Sequence, residues 1–146
     1  MKILAGVDLS EATEKVVKKV AEIAKALSAR VWILHVAEPE PDFVGFETDP
    51  KCIRDSRSEI FHREHHQIQD IADRLRKAGL DTTALLVQGA TVETILKEAS
   101  KLDADMIVLG SHGRGAMYQL LVGNVSEGVL HKSECPVLIV PTHERT

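Results

Sequence analysis

Aromatic residues and a strong charge of either sign are scarce in this sequence. Aromatic side chains make up 3% of the 146 residues, which leaves few rings on which single-stranded bases could stack. The formal net charge is −4, so general attraction to nucleic acid or to an anionic membrane is weak. We therefore expect neither a nucleic-acid partner nor a membrane partner.

Cysteines and long apolar runs are also scarce. The two cysteines, Cys52 and Cys135, form no CxxC pair. Cys135 precedes Pro136 and an apolar stretch, which favours a buried and unreactive thiol. The first apolar run, residues 3–7, is too short for a signal peptide or a membrane span. These features predict a reducing, cytoplasmic setting.

Apolar runs alternate with segments of helical period along the chain. Five runs predict strands, at residues 3–7, 31–36, 83–87, 105–109 and 136–140. Between them we predict helices, with Ser10 and Thr91 as N-terminal caps and Gly79 as the stop of the longest one. Strands that are apolar on both faces and separated by helices indicate a parallel, doubly wound sheet with helices on both faces. We predict a single α/β domain over residues 1–146.

The stretch from Ala37 to Asp55 breaks this rhythm. Its prolines and glycine argue against a continuous helix or a central strand: Pro39, Pro41, Gly45 and Pro50. A long loop in a compact domain is more often a lid or a contact surface than a linker. We expect one of these two roles for the loop.

Glycines cluster directly after the fourth predicted strand, in Gly110-Ser-His-Gly-Arg-Gly115. In open α/β sheets ligands bind beyond the carboxyl ends of the strands, and glycine lets backbone N–H groups approach phosphate oxygens. A second set of donors, Gly123-Asn-Val-Ser126, stands at the predicted start of the last helix, where anions bind. The alternative interpretation is a tight strand-to-helix connection without a ligand.

The pattern lacks two common phosphate-binding signatures. The glycine loop has no Gly-Lys-Ser/Thr ending, so it is not a P-loop, and it does not fit the dinucleotide fingerprint. The first strand-to-helix turn, Asp8-Leu-Ser10, is not glycine-rich either. Nicotinamide and flavin dinucleotides are therefore disfavoured.

Several stretches together carry a more specific signal. They are Ile-Leu-Ala-Gly-Val-Asp-Leu-Ser at 3–10, Leu-His-Val at 34–36, Ala-Asp-Met-Ile-Val-Leu-Gly-Ser-His-Gly-Arg-Gly at 104–115, Gly-Asn-Val-Ser-Glu at 123–127 and Cys-Pro-Val-Leu-Ile-Val at 135–140. In this order they resemble the universal stress protein family over almost the whole chain. The nucleotide-binding branch of that family carries Gly, two residues, Gly, nine residues, Gly, then Ser or Thr. Gly110, Gly113 and Gly123 have that spacing, whereas Asn124 replaces the Ser or Thr.

The resemblance implies a five-stranded sheet of order 3-2-1-4-5 and an adenine nucleotide, ATP or AMP, with Mg²⁺ accompanying ATP. It assigns the adenosine end to four residues: Val7, Asp8, Val36 and Leu109. Asp8 would accept hydrogen bonds from the ribose hydroxyls, and Val36 would meet adenine through its backbone. The alternatives are a solvated turn aspartate and plain core packing.

The phosphate end implied by the resemblance comprises Gly110, His112, Gly113, Arg114, Gly123, Asn124, Val125 and Ser126. The Asn124 amide can donate to a phosphate, but it is larger than a hydroxyl and differently aimed, which leaves ATP against AMP open. Arg114 either pairs with a phosphate or points into solvent. Ser126 either donates to the ligand or caps the helix, and His112 contributes chiefly its backbone.

Other polar clusters point to no chemistry. His62, His65 and His66 lie on the predicted long helix among charged residues, which indicates a solvated face rather than a metal site. No nucleophile and base set can be assembled, so we expect a regulatory binding protein with at most slow hydrolysis. The all-apolar last strand, Val137–Val140, predicts a homodimer through the sheet edge. The alternatives are a dimeric scaffold that binds no nucleotide and an ATP-using phosphotransferase.

Overall fold

Five parallel strands form one sheet at the centre of the protein. The structure, a computed structural model, describes residues 1–37, 50–111 and 124–142. The strands are β1 (Lys2–Gly6), β2 (Arg30–Ala37), β3 (Thr82–Gln88), β4 (Met106–Gly110) and β5 (Val137–Val140). Their order in the sheet is β3-β2-β1-β4-β5, and every pairing is parallel. The predicted fold class and strand order are confirmed.

Four helices in the described residues cover the two faces of the sheet. They are α1 (Thr13–Leu27), α2 (Pro50–Lys77), α3 (Thr91–Leu102) and α4 (Asn124–Lys132). Successive residues of a strand point to opposite faces, so each strand contributes to two separate cores. The core under α1 and α2 contains Ile3, Ala5, Val20, Ile33, Ile68 and Val108. The core under α3 and α4 contains Leu4, Leu34, Ile95, Ile107, Leu109 and Val129.

The turn after β1 is longer than the sequence suggests, and Ser10 does not cap α1 as predicted. The helix begins three residues later, at Thr13, with Ala12 at the N-cap position and no side-chain cap bond. Ser10 instead donates its N–H and its hydroxyl to Asp8 Oδ1, at 2.9 and 2.6 Å. Leu9 adopts a left-handed conformation, with φ of 62°. The competing aspartate therefore keeps Ser10 in the turn.

The starts of α2 and α3 differ from the prediction, whereas the end of α2 agrees with it. Pro50 begins α2 instead of interrupting the loop, because proline suits the first helical turn, where its missing N–H needs no partner. Thr91 is the first residue of α3, not its cap; the cap position belongs to Ala90, which provides no side-chain bond. Gly79, with φ of +90°, follows the end of α2 as predicted.

Cys135 is partly rather than fully buried.

Candidate functional site

The carboxyl ends of all five strands lie along one edge of the sheet, because every pairing is parallel. At this edge β1 and β4 are neighbours in space, although β1 connects onward to β2 on its other side. Such a reversal of strand order opens a crevice between the two connections, and ligands of doubly wound sheets bind there. The residues that follow β1 and β4 are therefore the first candidates for a ligand site.

Asp8 lies two residues beyond the end of β1, at this edge. It is partly buried, and its Oδ1 accepts the two hydrogen bonds from Ser10. The Ser10 hydroxyl in turn accepts the N–H of Ala12 at 3.2 Å. This chain of bonds holds the carboxylate in one orientation beside the crevice. A carboxylate held in this way is an acceptor of the kind that ribose hydroxyls require.

Val7, Val36 and Leu109 surround the β1 end and are all buried, at 8%, 8% and 4% exposure. Val36 and Leu109 belong to the core under α3 and α4, whereas Val7 belongs to the core under α1 and α2. The burial of the Val36 side chain accords with the expected contact through its backbone. The structure thus brings the four predicted adenosine residues to one edge of the sheet.

Gly110 is the last residue of β4 rather than a loop residue, since it pairs with Val140 of β5. Its carbonyl accepts the hydroxyl of Ser126 at 3.0 Å. Ser126 is 7% exposed and lies in the first turn of α4, so it is not the cap of that helix. This bond fixes the N-terminus of α4 against the end of β4, and the first N–H groups of a helix have no partner within the helix itself. Val125, in the same turn, is exposed.

Part of the predicted phosphate end lies outside the described residues. The residues concerned are His112, Gly113, Arg114 and Gly123. The side chain of Asn124 and most of the loop at 37–55 are also outside the described part of the chain. The glycine spacing therefore stays a prediction from the sequence.

Two polar clusters at this edge were missed by the sequence analysis. In the first, Ser111 Oγ accepts the Thr142 N–H at 3.0 Å, and the Thr142 carbonyl accepts Lys15 Nζ at 3.3 Å. Ser111 also donates its N–H to the Val140 carbonyl at 2.8 Å. These bonds tie the ends of β4 and β5 to α1. No sequence signal links residues so far apart.

The second missed cluster is a pair formed by His35, which is buried on β2, and Glu64, which is partly buried on α2. His35 is 7% exposed; its Nδ1 lies 2.9 Å from the Val7 carbonyl oxygen, and its Nε2 is hydrogen-bonded to Glu64 Oε2. The Leu-His-Val motif marked this histidine but suggested no role for it. By contrast, His62, His65 and His66 are exposed, as predicted. The described residues contain no group of three or more His, Cys, Asp or Glu side chains able to hold a metal ion.

The fold defines a doubly wound α/β protein, a class in which ligands bind where strand order reverses. Comparison with known proteins makes the class specific. The model of the Universal stress protein family matches residues 1–141. The chain belongs to the universal stress protein family. Within its described residues, no helix has both the length and the apolar character that a membrane span requires.

Individual relatives agree with this assignment. A universal stress protein of Thermus aquaticus is 33% identical, over 84% of this chain and 88% of its own length. The solved structure of MJ0577, a universal stress protein of Methanocaldococcus jannaschii, is 28% identical with a TM-score of 0.86, covering 99% of this chain and 97% of that one. A universal stress protein solved in complex with cAMP is 25% identical with a TM-score of 0.72, covering 98% of each chain.

Proposed function

We propose that this protein binds an adenine nucleotide, ATP or AMP, at the carboxyl edge of β1 and β4, and acts as a regulatory or sensing module of the stress response. The observation that carries the proposal is that the Asp8 turn follows β1 and the N-terminus of α4 is bonded to the end of β4, the two neighbouring strands at which strand order reverses. A related protein of the same family, 25% identical, was solved with the adenine nucleotide cAMP.

At the adenosine end, Asp8 accepts hydrogen bonds from the ribose hydroxyls. Its carboxylate is already oriented by Ser10, so binding costs little further ordering of this side chain. Adenine lies beside the ends of β1, β2 and β4, against Val7, Val36 and Leu109. The backbone of Val36 meets the base, since its side chain is committed to the core.

At the phosphate end, the backbone N–H groups of Gly113, Val125 and Ser126 face the phosphate oxygens. The Ser126 hydroxyl donates to the Gly110 carbonyl, which leaves its backbone N–H as the donor for a ligand. Arg114 and the Asn124 amide add contacts to the outer phosphates, and Mg²⁺ accompanies ATP. The glycine spacing 110-113-123 supports this assignment.

We propose at most slow hydrolysis. Asp8 is the acidic candidate within the proposed site, and its Oδ1 already accepts two hydrogen bonds. General-base catalysis needs a group within reach of the attacking water, and Asp8 is assigned instead to the ribose, away from the outer phosphate. The competing function is an ATP-using phosphotransferase. It would be indicated by ATP turnover that Asp8→Asn abolishes while nucleotide binding is retained.

The edge strand β5 supports a homodimer. Among the described strands it pairs with β4 alone, and its four residues, Val137–Val140, are all apolar. An apolar edge of this kind invites pairing with a second copy of the chain. A monomeric mass in light scattering at micromolar concentration would contradict the dimer.

The binding proposal is tested by identifying the nucleotide directly. The purified protein is denatured, released nucleotide is identified by mass spectrometry, and the emptied and refolded protein is titrated with ATP, ADP and AMP by calorimetry. We expect Gly113→Val to abolish binding and Asp8→Asn to weaken it by roughly tenfold, the value of a hydrogen bond to a charged group.

Asp81→Asn is the matched control for the loss of charge. Asp81 is exposed and pairs with Arg30 at 3.0 Å. It directly precedes β3, so it lies at the amino ends of the strands, away from the proposed site. Its substitution should leave nucleotide affinity unchanged. An empty wild-type protein with no calorimetric response to any of the three nucleotides would refute the proposal and favour a dimeric scaffold.

A further inference from the structure

The buried His35–Glu64 pair stands beside the proposed nucleotide site without belonging to it. His35 is near the carboxyl end of β2, and its side chain lies on the face covered by α1 and α2. The side chains of His35 and Glu64 are 9% and 15% exposed. A polar pair this deep in a core costs desolvation unless its hydrogen bonds are satisfied, and here both nitrogens of the ring have partners.

The partners determine where the protons of the ring are. A backbone carbonyl can only accept, so His35 Nδ1 carries a hydrogen and donates it to the Val7 oxygen. The other nitrogen, Nε2, is hydrogen-bonded to the Glu64 carboxyl group. The Val7 carbonyl therefore requires the hydrogen on Nδ1, and Glu64 orients the ring through Nε2. With both nitrogens engaged, the ring is not available as a base toward a ligand.

The group that His35 holds is the point at which the chain leaves the sheet. Val7 lies one residue beyond β1, where its N–H donates to the Leu34 carbonyl at 2.9 Å and its carbonyl accepts from His35 at 2.9 Å. Val7 is thus held by β2 on both sides: the backbone of Leu34 binds its N–H, and the His35 side chain binds the carbonyl of the Val7–Asp8 peptide. Asp8 and the left-handed turn at Leu9 follow at once.

We propose that His35, oriented by Glu64, is a positioning residue that holds the Val7–Asp8 peptide, so that the Asp8 carboxylate meets the ribose hydroxyls of the nucleotide. The inference rests on the proposed nucleotide site and deepens it. His35 touches no part of the ligand and acts only through the Val7 carbonyl.

The test compares ATP with 2′,3′-dideoxy-ATP, which lacks both hydroxyls that Asp8 is proposed to bind. We expect wild-type protein to bind ATP roughly tenfold more tightly, the value of a hydrogen bond to a charged group. In His35→Phe combined with Glu64→Leu, the pair is removed without leaving a buried carboxylate unpaired, and the ratio of the two dissociation constants should fall to about one. A purely structural role would weaken both nucleotides equally and leave the ratio unchanged.

Asparagine provides the rescue. Its Nδ2 is attached to Cγ, as Nδ1 is in histidine, so His35→Asn with Glu64→Leu restores a donor to the Val7 carbonyl. We expect this variant to regain most of the discrimination between the two nucleotides. His66→Phe is the matched control. His66 is an exposed histidine of α2, the helix that carries Glu64, and it pairs with Asp70 at 3.7 Å.

A measurement without nucleotide separates failure of this inference from failure of the proposed function. Nitrogen-15 NMR of the wild-type ring should show Nδ1 protonated; an unprotonated Nδ1 would overturn the inference alone. A discrimination ratio that survives in the Phe–Leu variant would also overturn it alone, whereas a wild-type ratio near one would overturn the proposed contact of Asp8 with the ribose together with the inference. A wild-type protein that binds neither nucleotide would overturn the nucleotide site and the inference with it.

Discussion

Replacement of Gly6 by alanine tests how closely β1 and β4 pack at the proposed site. A Cβ at position 6 would lie 2.7 Å from Leu109 Cδ2 and 3.6 Å from Ile95 Cδ1. Carbon atoms in contact lie about 3.5–4.0 Å apart, so the Leu109 methyl must retreat by roughly 0.8 Å. Leu109 is 4% exposed, which leaves its side chain little room to move.

The expected cost follows from two opposing terms. Overpacking a buried position costs about 1–3 kcal/mol, whereas replacing glycine by alanine within a strand gains about 0.5–1 kcal/mol of backbone entropy. The packing term wins, so we expect Gly6→Ala to lower the free energy of unfolding by about 1–2 kcal/mol. At this chain length that corresponds to a fall in Tm of about 2–8 °C.

Urea unfolding of a double-mutant cycle measures the effect. Leu109→Val removes the Cδ atoms that the new methyl would meet, so the penalty of Gly6→Ala should shrink by at least about 0.5 kcal/mol in that background. Gly79→Ala is the control: Gly79 has φ of +90° and no atom within 4 Å of an added Cβ, so its cost should not depend on Leu109. Additive effects of Gly6→Ala and Leu109→Val, or a Gly6→Ala protein as stable as wild type, would refute the packing argument.

Three further predictions concern the helices. Gly128→Ala places a Cβ 2.9 Å from Val92 Cγ2, and the stiff β-branched valine cannot easily move away. We expect this variant to lose about 1 kcal/mol of stability in urea unfolding, although alanine has the better helix propensity. In a Val92→Ala background the same substitution should be stabilising, and a loss of stability there would contradict the clash. Thr13 Oγ1 is buried with no hydrogen-bond partner among the described residues, so Thr13→Val should gain about 1 kcal/mol in the same assay, and a loss would contradict this. The hydrogen bond from the Lys19 ammonium, at 2.9 Å, lowers the pKa of Glu22; this stabilisation is therefore present at neutral pH and is lost as pH falls through that lowered pKa. NMR titration should give a higher pKa for Glu22 in Lys19→Met, and equal values would count against the ion pair.

The architecture was largely readable from the sequence, because its causes are local and repeat along the chain. Val16 and Val20 of α1 recur at helical spacing and lie in one core, while the apolar run at 3–7 alternates between both cores. Gly79 was readable as the stop of α2 because glycine adopts the positive φ that ends a helix. The strand order came from the family resemblance, since periodicity does not encode which strands are neighbours.

The starts of helices were predicted less well. Ser10 has the chemistry of a cap, yet Asp8 competes for its hydroxyl and N–H, and α1 begins at Thr13. Thr91 likewise has a capping side chain but stands one residue inside α3. Capping preferences are worth about 1 kcal/mol, which neighbouring side chains and the entry path of the chain easily outweigh.

The sequence by itself determined an aspartate after the first strand, and it predicts glycines at 110, 113 and 123 for the phosphate end of the site. Only the tertiary structure decided which side chains hold the carboxyl edge in place. His35 meets Glu64 across 29 positions, Ser126 meets Gly110 across 16, and Ser111 meets Thr142 across 31. The physical reason is that a parallel sheet brings together the ends of strands that are distant along the chain, and no local propensity records those meetings.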